Sequence, residues 1–364
     1  MSPAPRPARA PVGQLSLSKG DRVAVSGAAG FIGSAVVRAL LARGADVVAL
    51  VEPGGDERNL HGLDVERVPV DVRDVKAVTA ACADARFIFH LAALYRFWAK
   101  RPKDFYDINV GGALNVLEAA RRGVCERVVY TSTVGVIGLE GAAHGQAADE
   151  TCYADVAHLF GLYKRTKYVA EHEVLRAAAQ GAPVSLVLPT FPLGPGDTRP
   201  TPTGKLVLEF LNGRVPAFVD TTLNVVHVDD LATGHLLALE RGAVGRSYII
   251  GGENLGMGSF LAALAECTGL PVPKVQVPRS VALGVGALSQ LVEGRLLRRE
   301  PSVALEAARM STTNMMFSDR RARVELGHSP RPASEAFVDS ARWFVENGYV
   351  TAKRAHRITF PSAR

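Results

Sequence analysis

The chain has 364 residues, a formal net charge of +6 and a charged fraction of 21%. That length allows one large domain or two lobes. Its basic residues are scattered among acidic ones, not gathered in the arginine-rich arm or basic–aromatic interleave that nucleic acid requires, so no nucleic-acid partner is expected.

The first residues, 1–13, are rich in Pro, Ala and Arg. Their prolines prevent a continuous helix, and no apolar core of a secretory signal follows. Residues 1–19 are therefore read as a disordered tail. From Asp21 onward, short Val/Ile/Leu-rich runs alternate with amphipathic stretches. Strands are expected at residues 22–26, 46–51, 65–70, 86–91, 127–132 and 184–188, with a first helix over 33–43. This alternation predicts an α/β fold of the Rossmann type, a doubly wound parallel sheet covered by helices on both faces. The rhythm changes after Pro189. Residues 190–204 carry several Pro and Gly and read as loop, and a smaller mixed α/β substrate lobe follows. The predicted organisation is a dinucleotide lobe over 20–195, to which 224–255 returns in part, a substrate lobe over 196–350, and a second tail over 351–364.

Between the first strand and the first helix lies Gly27-Ala28-Ala29-Gly30-Phe31-Ile32-Gly33. Glycines permit the tight turn and a close approach of backbone to a pyrophosphate, and the helix start offers N–H groups to that anion. Glu52, about twenty residues on, suits the adenosine ribose hydroxyls and repels a 2′-phosphate, which favours NAD(H). NADP(H) stays open, because Arg58 is within reach of a 2′-phosphate. Asp71 and Val72, after the third strand, border the expected adenine position.

Four cysteines, Cys82, Cys125, Cys152 and Cys267, are too widely spaced for a metal knuckle or a redox pair. No metal is expected, and isolated thiols fit a reducing cytosol. No apolar run is long enough to span a bilayer. The expected location is cytoplasmic, with the inner membrane face as an alternative.

Tyr163 and Lys167 stand at i and i+4 and share one helix face. An ammonium beside a phenol stabilises phenolate and lowers its pKa, so Tyr163 is the expected general acid or base. Lys167 would also orient the cofactor ribose. The strand 127–132 leads into Thr131-Ser132-Thr133, and a hydroxyl at a strand's carboxyl end faces the ligand crevice. Thr133 is the first choice to hold the reacting oxygen, Ser132 the second.

These motifs resemble the extended short-chain dehydrogenase/reductase superfamily: GAAGFIG at 27–33, Asp71-Val72, HLAA at 90–93, Asn109 within YDINVGGALNVLEAA, YTSTVGV at 130–136, YKRTK at 163–167 and HVDD at 227–230. The resemblance implies a Thr133–Tyr163–Lys167 catalytic set. It also implies a cofactor site built from Gly27, Gly30, Phe31, Ile32, Gly33, Glu52, Asp71, Val72, Leu91, Ala92, Ala93, Asn109, Tyr163, Lys167 and Pro189. Homodimers are common in that superfamily. LYRFWAKRPKDFYDINV, GPGDTRPTPTGK, NVVHVDD and MMFSD resemble the hopanoid-associated sugar epimerase and dihydroflavonol-reductase-like branch. The 3β-hydroxysteroid dehydrogenases, including the decarboxylating 4-carboxysterol type, look like cousins. That branch often has Arg at the position of Glu52, and nucleotide-sugar epimerases usually have Arg near the position of Leu223.

Tyr95, Phe97 and Trp98 follow the fourth strand and suit a flat apolar pocket, with packing between lobes as the alternative. Tyr95, Trp98 and Thr133 are the candidate substrate residues. Residues 281–297 are apolar and end in Arg298-Arg299. They read as a lobe helix or as an interfacial segment touching the membrane. The expected activity is alcohol–ketone exchange on a hydrophobic polycyclic small molecule, with NAD-retaining sugar epimerisation as the competing reading.

Overall fold

The computed structural model describes residues 15–96, 101–139, 145–155, 159–296 and 305–360. Seven strands form the main sheet. β1 (Arg22–Ser26), β2 (Asp46–Val51), β3 (Glu66–Pro69), β4 (Phe87–His90), β5 (Arg127–Thr131) and β6 (Val184–Pro189) are joined by β10 (Ser247–Ile250), in the order β3-β2-β1-β4-β5-β6-β10. Every pairing is parallel. The order turns back between β1 and β4, which opens a crevice at their carboxyl ends.

Side chains alternate across these strands. Val23 and Val25 pack on one face with helices α1 (Phe31–Ala42) and α7 (Val228–Glu240), whereas Ala24 packs on the other with α2 (Val75–Ala81), α4 (Gly112–Arg122) and α5 (Leu162–Ala179). The short helix α3 (Lys103–Tyr106) enters α4 through a π-helical turn, Asp107–Gly111. The sheet is thus doubly wound, as the alternating pattern predicts.

A third core belongs to the smaller lobe. It joins α6 (Pro202–Leu211), α8 (Met257–Thr268) and α11 (Ala333–Glu346) over a three-stranded sheet. That sheet has the order β11-β9-β7, from β7 (Phe191–Leu193), β9 (Thr222–His227) and β11 (Glu253–Gly256). A two-stranded ribbon pairs β8 (Ala217–Phe218) with β12 (Val275–Gln276). The remaining helices are α9 (Arg279–Ser289), which runs on through a π-helical stretch to Leu296, then α10 (Leu305–Met310) and α12 (Ala352–Ala355). No helix among the described residues is long and apolar enough to cross a membrane.

Three details correct the sequence reading, and a fourth specifies the partial return of 224–255 that it expected. Residues 190–204 are not all loop: β7 forms despite Pro192, because β7 is an edge strand where a missing N–H is harmless. Within the same stretch α6 starts at Pro202, with Thr201 capping it through Gly204 N–H. Residues 15–19 are not free tail. Leu17 is buried in the core, and its N–H donates to Glu240; residues 1–14 lie outside the described residues. The carboxyl-terminal segment is anchored as well. Ile358 and Phe360 pack on the smaller lobe, and Thr359 N–H donates to Thr268 O. Finally, residues 224–255 divide: α7 and β10 pack on the large sheet, while the strands on either side belong to the three-stranded one.

The turn after β1 depends on missing side chains. Gly27 has φ +70°, and a Cβ there would lie 2.8 Å from Ala92 N. A Cβ on Gly33 would lie 2.0 Å from Gly27 O, whereas Gly284 on α9 has nothing within 4 Å. Gly33→Ala is expected to lower unfolding free energy by about 2 kcal/mol or more, by forcing helix and turn apart. Gly284→Ala should raise it by up to about 1 kcal/mol through helix propensity. Urea unfolding of both variants checks the contrast.

Candidate active site

Parallel register sets polar side chains in a row at the carboxyl edge of the sheet. Ser26 on β1 stands opposite His90 on β4, and His90 opposite Tyr130 on β5. Ser26 Oγ and His90 Nδ1 are 2.6 Å apart, and the His90 and Tyr130 rings lie 5.8 Å apart. Burial pushes the His90 pKa down to about 3, so this imidazole is neutral. Leu91 N–H donates to Ser26 O, and Ala92 N–H reaches Ser26 Oγ at 3.4 Å. The HLAA segment with Leu91, Ala92 and Ala93 therefore runs directly beside the glycine turn.

Lys167 closes the row. Its Nζ donates to Tyr130 Oη at 2.9 Å and to Thr131 O at 2.6 Å, and lies 4.4 Å from the Tyr130 ring centre. Burial lowers the Lys167 pKa to about 7, opposed by the Glu171 carboxylate. Glu171 follows four residues later on α5 and is itself buried. Burial raises its pKa, against the Ser132 hydroxyl, which donates to Glu171 Oε2, and against Lys167. Burial also holds the Tyr130 phenol well above its usual pKa.

Tyr163, one turn before Lys167, is half-buried and packs on Tyr95, with ring centres 4.7 Å apart. The structure thus brings a candidate substrate residue against the candidate proton-transfer group. Trp98 and Phe97 lie outside the described residues. The two hydroxyls after β5 differ. Ser132 is buried and committed to Glu171. Thr133 is half-buried, and its oxygen accepts Gly135 N–H at 3.1 Å, so its own O–H remains a donor.

Asn109 is fully buried in the π-helical turn. It accepts Leu94 N–H at 2.7 Å and donates to Thr166 Oγ1 at 3.0 Å. It therefore ties the segment after β4 to the helix carrying Tyr163 and Lys167. Val72 lies against Gly112, where a Cβ would stand 3.0 Å from Val72 Cγ2. Asp71 forms a two-oxygen ion pair with Arg73, which holds its pKa down. Glu52 is exposed just past β2. Arg58 is engaged by Asp56 through 3.0 and 2.7 Å contacts. Pro189 is buried at the end of β6, and the next residue, Thr190, has a buried hydroxyl with no partner.

These features suit a dinucleotide. Gly27 and Gly33 leave no room for a Cβ, Gly30 begins α1 with no side-chain cap, and the Thr190 hydroxyl is an orphan at the crevice edge. No group of three or more metal-ligating side chains occurs among the described residues. Sequence reasoning missed Glu171, Tyr130 and Asn59. Glu171 was signalled by its spacing, one further i+4 step along the Tyr163–Lys167 face. Tyr130 and Asn59 had no such signal. Asn59 Nδ2 donates to Ala29 O in the glycine turn and to Gly196 O in the smaller lobe, and only the folded chain brings these together. Leu223, where a phosphate-clamping arginine would stand, is buried in the apolar core of the smaller lobe.

Comparison with known proteins agrees with this geometry. The model of the NAD dependent epimerase/dehydratase family matches residues 23–251. A Synechocystis sp. protein provisionally named dihydroflavonol 4-reductase is 39% identical over 338 residues, covering 92% of this chain and 97% of that one. Sterol demethylase protein B of Methylococcus capsulatus is 34% identical over 327 residues, covering 90% of this chain and 99% of its own. The crystal structure of gox2253 shares the fold with a TM-score of 0.81 at 39% identity, covering 91% of this chain and 100% of that one. The chain accordingly belongs to the NAD-dependent epimerase/dehydratase family, the extended short-chain dehydrogenase type that its motifs resemble.

Proposed function

We propose that this protein interconverts a secondary alcohol and a ketone on a polycyclic lipid of the sterol or hopanoid type. The observation that carries the reaction is the continuous row from the glycine turn through Ser26, His90 and Tyr130 to Lys167, with Tyr163 one helical turn away. Bound nicotinamide would supply the hydride acceptor or donor. Gly27, Gly30, Gly33 and the N–H groups of Phe31 and Ile32 would hold its diphosphate. Leu91, Ala92, Ala93, Val72, Asn109 and Pro189 would line its remaining length. NAD(H) is favoured because Glu52 is exposed after β2 and Arg58 is occupied by Asp56.

In the oxidative direction Tyr163 accepts the hydroxyl proton, and in the reductive direction it returns that proton to the carbonyl oxygen. Thr133 donates a hydrogen bond to the same oxygen. Lys167, when protonated, favours the Tyr163 phenolate. A substrate with a carboxylate beta to the new ketone could then lose CO2, its electron pair passing into the ketone. The similarity to sterol demethylase protein B supports a sterol-like substrate. The aromatic wall at Tyr95 and the apolar residue at Leu223 support it too. A buried leucine removes the charge-assisted contact that a nucleotide-sugar diphosphate would need. The large lobe would bind the dinucleotide and residues 196–350 chiefly the substrate, with 4-carboxysterols and the hopanoid-linked branch as the finer assignment.

Incubation of the full chain with NAD and a lipid extract, followed by mass spectrometry, tests this reading. A ketone product should accumulate together with NADH, and Tyr163→Phe should slow turnover by about 1,000-fold with melting temperature unchanged. Epimerised product without NADH, or full turnover by the variant, would refute it.

Lys167 gives a second test. Lys167→Met should slow turnover by about 100-fold or more, yet not destabilise the apoenzyme. The folded pKa of about 7 lies below the ordinary value of 10.5. The unfolded chain therefore holds the proton longer, and wild-type stability rises as pH climbs from about 7 towards 10.5. The variant's advantage should be greatest below that window and shrink through it, as read by urea unfolding at several pH values.

A further inference from the structure

We propose that Glu171 is a positioning residue for the proton transfer, given the roles proposed above for Thr133, Tyr163 and Lys167. It fixes Ser132, and through Ser132 it sets the Thr131 carbonyl that receives Lys167 and the Thr133 hydroxyl that meets the reacting oxygen.

Three hydroxyl residues leave the carboxyl end of β5 in succession, and they go three ways. Thr131 Oγ1 lies 2.9 Å from His235 Nε2 on α7. Ser132 Oγ donates to Glu171 Oε2 on α5. Thr133 Oγ1 accepts Gly135 N–H and keeps its own O–H. The backbone is held between the same neighbours. Thr131 O accepts from Lys167 Nζ at 2.6 Å, and Ser132 N–H donates to Val187 O of β6 at 2.7 Å. Lys167 and Glu171 thus grip adjacent residues of β5's exit from consecutive turns of α5, on one helix face. The Lys167 acceptor and the expected donor to substrate stand one residue either side of Ser132, so a shift of Ser132 would move both. The turn that follows also lies against α5: a Cβ on Gly135 would stand 3.4 Å from Lys164 Cγ.

Folding stability does not account for a carboxylate at this place. Glu171 is 6% exposed, and burial raises its pKa against both the Ser132 hydroxyl and the Lys167 ammonium. Desolvation therefore outweighs what those two partners return. An apolar side chain of similar length would avoid that cost. What the carboxylate supplies is an acceptor at a fixed point. It commits the Ser132 hydroxyl to α5 and leaves the Thr133 hydroxyl available to the crevice.

NADH formation by the full chain with NAD, over a dilution series of the lipid extract, tests this role. Glu171→Met removes the acceptor and should lower the maximal rate about 30-fold or more, the loss expected of a misplacement near 1 Å. The half-saturating extract concentration should stay within about threefold, because ground-state binding is untouched. Glu171→Gln keeps an oxygen for the Ser132 hydroxyl and should retain at least about a third of the maximal rate. Ser132→Ala should be as slow as Glu171→Met, and it carries the comparison should the methionine variant not fold. The double variant Ser132→Ala with Glu171→Met should be slower than either by no more than about threefold, because both changes remove one bond. Wild-type rates in Glu171→Met and Ser132→Ala would overturn the proposal. So would independent, multiplying losses in the double variant, or Glu171→Gln as slow as Glu171→Met. Tyr163→Phe, run in parallel, separates the two readings. If it turns over at the wild-type rate, or if the extract yields no NADH, the proposed reaction fails and the Glu171 role with it. If Tyr163→Phe is slow while Glu171→Met and Ser132→Ala are not, the Glu171 role alone fails.

Discussion

The Lys167 ammonium is placed by a hydrogen bond to the Tyr130 phenol and another to the Thr131 carbonyl, both on the central strand β5. An ion this deeply buried is costly unless hydrogen bonds and charge compensate it, and the surroundings show the cost: the Lys167 pKa falls and that of Glu171 rises. Neither group is stabilised in its ionic form by its position in the fold. Burial outweighs the hydrogen bonds and the mutual attraction at both groups. That is the condition under which a lysine adjusts a neighbouring phenol.

The same constraint organises the elements around it. Lys167 can meet Tyr130 only if α5 lies firmly along β5, and Asn109 secures α5 from the other side by linking Thr166 to the Leu94 backbone. The segment after β4 is in turn pressed against Gly27, where the approach of Ala92 leaves no space for a side chain. Direct contacts thus join cradle, loop and helix. Asn59 extends these contacts to the smaller lobe, donating to Ala29 O and Gly196 O together.

The smaller lobe contributes apolarity more than charge. Its core absorbs Leu223, whereas the aromatic contact on Tyr163 comes from Tyr95, in the segment that follows β4 of the large sheet.

By itself the sequence determined the parts whose rules are local. The glycine spacing, the alternating strands and helices, and the i, i+4 placement of Tyr163 and Lys167 depend on sterics and helical geometry within a few residues. The doubly wound sheet was therefore legible, and so were the motifs that border its crevice. Tertiary structure alone decided the rest. Ser26, His90 and Tyr130 are separated by 64 and then 40 residues and form a row only because parallel register aligns their strands. Ser132 and Thr133 are adjacent and chemically alike, yet only Thr133 keeps a free donor, because Glu171 on α5 takes the other. The apolar character of residues 281–297 was likewise visible, but not which side chains it exposes: only the packing of Gly286 on α10 shows that Val281, Val285 and Leu288 are turned outward.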